Sequence, residues 1–158
     1  MNINPTIGDA YDALTSSVNE YVNDGVMVSE SIATFNLAIQ ADVNFRDLLM
    51  GLPKHYKIEK CVGFITYTLG QVDHQDRAPY LTILSAYAYE LGDVTSAYKF
   101  LSDAVELDAD YSLAKLLARV FASGWAPESL ASMRNELDIK VRDVVEEQRD
   151  VVISEINA

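Results

Sequence analysis

Apolar residues recur every three to four positions through most of this chain, the spacing that stacks side chains along one face of an α-helix. Tyr11, Leu14, Val18, Tyr21 and Val22 continue a stripe begun at Ile7, which predicts a first helix ending near residues 23–25. Ser29 reads as the cap of a second helix, with Ile32, Phe35 and Ile39 on one face. Val43, Phe45, Leu48, Leu49 and Leu52 follow in a changed phase, so a kink or break is expected near Asp42, with Gly51 and Pro53 as the stop. A third long helix carries Ile58, Val62, Ile65, Leu69 and Val72, and residues 73–77 form a polar link.

The local signals agree best over residues 78–121. Pro79 suits a first helical turn, and Leu81, Leu84, Ala88 and Leu91 share one face. Gly92 supplies a stop and Asp93 a cap for the next helix, which carries Val94, Ala97, Leu101, Ala104 and Val105. So short a connection folds the two back as an antiparallel hairpin. Leu113, Leu116, Leu117, Val120 and Phe121 predict a further helix stopped by Gly124, with Trp125 plugging the end of the core. Pro127 opens a last helix with Leu130, Met133, Leu137, Val141 and Val144 on its stripe. Val145, Val152 and Ile156 adjoin it, and Leu137, Val144 and Val151 fall at one position of imperfect heptads that favour docking on the chain's own domain over dimerisation. No segment alternates as a strand does. The expectation is an all-α fold of about seven antiparallel helices in a single domain. Its parts are N-terminal helices over 1–52, a helical-hairpin core over 56–123 and a C-terminal helix over 127–156.

The small-and-large order of the hairpin resembles a tetratricopeptide unit. Leu84 and Ala97 match that signature, and Gly92 sits at its turn, while the signature's Trp, Tyr and Pro have no counterpart. Shifting back by the repeat length of about 34 residues sets Met50 and Gly51 under Leu84 and Ser85, then breaks at Pro53. This is one good hairpin with a degenerate predecessor.

Composition changes the picture through charge. Twelve Lys and Arg against twenty-four Asp and Glu leave a net charge of −12. Residues 1–50 hold only Arg46 against seven acids, residues 51–100 balance, and residues 101–158 carry six bases and twelve acids. Such a surface lacks the electrostatic drive for direct nucleic-acid binding and disfavours anionic membranes. Cys61 is the single cysteine, so an intrachain disulfide is impossible, and its place on an apolar face predicts a buried thiol. The first twelve residues lack the pattern of a signal peptide. No apolar run nears the roughly 20 residues that span a bilayer. A cytoplasmic protein is expected, in the host cytoplasm if it is viral.

From about Asp42 onward the order of features resembles the helical C-terminal part of an actinobacterial and actinophage family, domain of unknown function 4192. The likeness rests on Phe45-Arg46-Asp47, Ala78-Pro79, Leu84, Gly92-Asp93, Ala97 and Ala104-Val105. It continues with Asp110-Tyr111-Ser112-Leu113-Ala114, Leu116-Leu117, Gly124 and Pro127. It covers about two thirds of the chain, and the family's strand-bearing N-terminal part has no counterpart in residues 1–41. The resemblance implies an actinobacterial or phage origin and carries no activity.

Catalytic patterns are missing. His55 and His74 lie in polar links without a ligand partner at helical spacing, and Asp73, His74 and Asp76 read as a solvated loop more readily than as a metal site. No metalloprotease pair, di-iron motif, phosphate loop or nucleophile elbow appears. The reading is therefore not an enzyme, with no cofactor and no metal. Tyrosine is more suggestive, because Tyr80, Tyr87, Tyr89, Tyr98 and Tyr111 cluster on or beside the hairpin. If the hairpin's first helix lines a concave face, as in tetratricopeptide units, Thr82, Ala86, Tyr89 and Glu90 point into a partner-binding groove. Tyrosines half-buried against neighbouring helices are the competing explanation. The function expected is a non-catalytic module that docks another protein or peptide. The alternatives are an acidic DNA-mimic inhibitor of a nucleic-acid-binding protein, or a structural subunit that self-assembles through the C-terminal helix.

Overall fold

The computed structural model describes residues 7–157, with the side chains of 8–147. Helices α1 (Ile7–Asp24) and α2 (Ser29–Ala41) fold against each other, and α3 (Val43–Met50) follows at once. A 3₁₀ turn at Leu52–Lys54 leads into α4 (Ile58–Leu69), and another at His74–Asp76 leads into α5 (Ala78–Glu90). Then come α6 (Val94–Leu107), α7 (Ser112–Ala122) and α8 (Pro127–Asn157). The described residues contain no strand, so the all-α expectation holds. None of their helices is long and apolar enough to cross a membrane.

The expected break at Asp42 is real. Asp42 adopts an extended conformation (φ −132°, ψ 117°), closing α2, and its carboxylate accepts from the Asn44 N–H to cap α3. Gly92 ends the α5–α6 turn at φ +80°, a left-handed backbone that glycine takes without strain. Asp93 then caps α6 by accepting from the Ser96 N–H at 3.1 Å, and hydrogen bonding from the Ser96 side chain first, then from its N–H, holds the Asp93 carboxyl below the usual range. The Ser29 cap does not form. Val28 occupies the cap position, and no side chain bonds there.

Helix α5 is the axis of the molecule. All residues from Ala78 to Tyr89 are buried, because α3, α4, α6, α7 and α8 surround it. A helix covered on every side is a core helix, not an amphipathic one. Its ring Tyr87 is fully enclosed and its hydroxyl donates to the Leu49 carbonyl of α3. Tyr80, also enclosed, donates to Asn36 Oδ1 of α2 at 2.7 Å. Asn36 in turn donates to Asp76, so these two aromatics tie α5 to the N-terminal helices through their polar ends.

This packing sets an alkaline limit. Burial pushes the Tyr80 and Tyr87 hydroxyls up from their usual 10.0, and raises the Cys61 thiol from 9.0 to about 12. Groups whose folded-state pKa is raised give stability that is complete below their unfolded value and lost as pH rises through the folded one. The urea midpoint followed by circular dichroism is therefore expected to be flat from pH 7 to about 9 and to fall above about 10. Tyr87→Phe should make that fall shallower. A midpoint unchanged through pH 11, on this ordinary tyrosine scale, would contradict the buried placement.

Candidate functional site

The four residues expected to line a groove are placed by α5, and α5 offers no open face. Thr82 and Ala86 have no exposed surface, and the Thr82 hydroxyl donates back to the Ala78 carbonyl. The Tyr89 ring stacks on Phe121 of α7 (centroids 4.4 Å apart, planes 4° from parallel), and its hydroxyl donates to the Trp125 carbonyl at 2.5 Å. Glu90 accepts from Arg134 Nε of α8 at 2.7 and 2.8 Å, and both side chains are more than nine-tenths buried. The partner-binding assignment of Thr82, Ala86, Tyr89 and Glu90 is thus corrected: α7 and α8 fill the space where a tetratricopeptide groove would open. The burial of these residues has an elementary cause. Tyr80 and Tyr87 share one side of α5 and reach α2 and α3, Tyr89 lies opposite and stacks on α7, and the small residues between them let further helices approach.

What α5 hides, the end of its hairpin displays. Phe121 lies between Tyr89 and Tyr98, with the Tyr98 ring meeting it edge-on at 5.6 Å. Tyr98 is 46% exposed and Trp125 39% exposed. Trp125 does not plug the core as expected; its carbonyl holds Tyr89 while its side chain stays outside. Leu91 and Val94, expected on buried stripes, are each 48% exposed at the same end. Tyr98, Trp125, Leu91 and Val94 thus leave large apolar surface uncovered near the α5–α6 turn and the end of α7, with the Tyr98 ring backed by the buried Phe121. Of these, only the tyrosine cluster carried a functional signal in the sequence.

A second polar centre joins α8 to the turn after α3. His55 meets Asp138 through Nε2 at 2.7 Å, and Arg142 Nε donates to the same carboxylate at 3.0 and 3.2 Å. Arg142 Nη1 donates to the Tyr11 hydroxyl, which donates on to Glu146. Asp138 is wholly buried while the His55 side chain is 37% exposed beside a cavity of about 130 Å³. Among the described residues, no hydroxyl or thiol bonds to His55. A histidine held by a buried carboxylate has the orientation of a catalytic dyad but no nucleophile to activate. Its evident work is to clamp α8, by an interaction across 83 residues of sequence that periodicity cannot reveal.

The remaining candidates take structural places. Among the described residues no group of His, Cys, Asp and Glu is arranged to hold a metal ion. Asp76, with His74 and Asp73 nearby in the chain, docks α2 through Asn36 and, by its carbonyl, Gln40. Cys61 is buried with its thiol pushed up to about 12, the opposite of an activated nucleophile. Compared with protein-family models, with curated proteins and with solved structures, the chain shows no significant match.

Proposed function

We propose that this protein is a non-catalytic interaction module whose contact face is the aromatic end of the α5–α6 hairpin. One observation carries the reading: Tyr98, 46% exposed, rests edge-on against the buried Phe121 ring, and Trp125, Leu91 and Val94, all exposed, belong to the adjoining turns and helix start. Large aromatics on a rigid base supply contact area at little entropic expense, and Trp and Tyr dominate binding energy at protein interfaces. The partner segment suited to such a face is apolar, an amphipathic helix laying its hydrophobic side across the rings.

Trp125 is the single tryptophan, so its emission reports directly on this face. A photo-crosslinking residue at position 98 should capture a protein partner from the native cell, whereas one at Lys60, exposed on α4, should not. With that partner purified, Trp125 emission should shift to the blue on binding. Tyr98→Ala with Trp125→Ala should weaken affinity by about two orders of magnitude or more, as paired hot-spot losses do. Equal affinity for the double variant would refute the assignment.

A further inference from the structure

Where α4 ends and α5 begins, the chain turns through the 3₁₀ segment His74–Asp76 and Arg77, opposite the last turn of α6. These pieces line a cleft of about 490 Å³ that is open to solvent on one side, within the roughly 300–1,000 Å³ of small-molecule sites. Leu69, Leu81 and Leu107 give it apolar walls. Arg77 and His74 lie on one side, and Asp103 and Glu106 of α6 on the other.

Arg77 is the informative residue. Its Nε is buried with no hydrogen-bond acceptor in the protein, and it enters no ion pair among the described residues. Arg46, Arg134 and Arg142 all find carboxylates, and Arg119, which like Arg77 finds none, is exposed where Arg77 is part-buried. The buried Nε is closed off from the cavity, so a ligand meets the guanidinium through its terminal nitrogens, which pair best with a carboxylate. The facing acids limit what can bring that carboxylate. Glu106 is exposed and makes no bond, and Asp103 meets only Lys99, at 3.6 Å. A purely anionic ligand is repelled by both acids, and a purely cationic one leaves Arg77 unanswered. A ligand bearing both charges answers both walls.

We propose that this cavity binds a small zwitterion with an apolar body, an apolar α-amino acid or a dipeptide of such residues. Its carboxylate pairs with Arg77, its ammonium faces Glu106 and Asp103, and its side chain lies on the three leucines. The site is separate from the aromatic face and does not depend on its role.

Titration calorimetry of the full chain at pH 7 with L-leucine, L-phenylalanine and leucyl-leucine tests this. At least one should bind saturably, and preference among them separates the amino acid from the dipeptide. The N-acetylated and C-amidated forms of the best ligand should each bind about tenfold or more weakly, since each lacks one charged contact. Arg77→Gln should abolish the heat. Glu106→Gln, at an exposed position that leaves folding intact, should weaken binding several-fold and decides the matter if the Arg77 variant misfolds. Silence from all three probes at millimolar concentration overturns the proposal. So does equal binding of the capped forms, or binding unchanged by Glu106→Gln.

Discussion

Arg134→Met is expected to destabilise the protein by about 3–5 kcal/mol, the usual result of breaking a buried ion pair from one side. Only 8% of the Arg134 side chain and 6% of the Glu90 side chain reach solvent. Arg134 Nε donates to both Glu90 oxygens, and Nη1 donates to Asn135 Oδ1 at 2.7 Å. Removing the guanidinium leaves a carboxylate stranded at the end of α5, beside the buried Tyr87 and Cys61, with no donor to replace it. The pair itself is a different matter. Two desolvated charges recover only part of their hydration through mutual attraction, so apolar residues of similar volume can do as well. Glu90→Leu with Arg134→Met should therefore regain most of the loss. Urea unfolding of the two variants and the wild type measures both effects. A single-variant loss below about 1 kcal/mol, the range of exposed pairs, would mean that water reaches Glu90.

Gly51→Ala should cost about 1–3 kcal/mol, in the range of overpacked cores, although nothing in the backbone forbids alanine there. Gly51 has φ −86° and ψ −6°, an ordinary right-handed conformation. The obstacle is α8. A Cβ on Gly51 falls 2.2 Å from Asp138 Oδ1, 2.4 Å from its Cβ and 2.5 Å from its Cγ. A rotamer change moves the carboxylate but not the Asp138 Cβ, so α8 itself has to retreat. Retreat pulls Asp138 from His55, while Arg142, four residues on in the same helix, moves with it, so a wholly buried carboxylate loses one of its two partners. Asp138→Ala in the same chain should bring no rescue, because its Cβ still collides. Gly92 offers a contrast: a Cβ there meets nothing within 4 Å, and only its positive φ stands against substitution. Unfolding midpoints for Gly51→Ala and the double variant test this, and a Gly51→Ala protein as stable as wild type would sink it.

Both effects arise where α8 meets the body of the protein, and this is where sequence reasoning went astray. The apolar stripe Leu130, Met133, Leu137, Val141 and Val144 predicted which side of α8 turns inward. Leu130 and Val141 of that stripe and the adjoining Val145 are buried as expected, but Arg134 and Asp138 are buried with them, leaving Met133 and Leu137 half-covered and Val144 39% exposed. The expectation that α8 docks on its own domain fits its contacts with α1, α3 and α5. Val151, Val152 and Ile156, on which the self-assembly alternative leaned, lie beyond the described side chains. The rotated face follows from partners that no periodicity can display: Glu90 lies 44 residues before Arg134, and His55 lies 83 residues before Asp138.

The candidate contact face divides in the same way. Tyr98 belonged to a visible tyrosine cluster, yet so did Tyr80, Tyr87 and Tyr89, which the structure buries. Leu91 and Trp125 were assigned to the core and emerged on the surface.

By itself the sequence determined the helices, their order and most of their ends. Hydrophobic spacing, the glycines at 92 and 124, the aspartate caps at 42 and 93 and the prolines at 79 and 127 act within a few residues. Tertiary structure alone decided which sides of those helices face inward. The eight helices of the described residues compete for one core and can enclose α5 completely, and buried charges then follow partners that lie near in space and far along the chain. Burial is a property of the assembled packing, so a single helix read in isolation does not contain it.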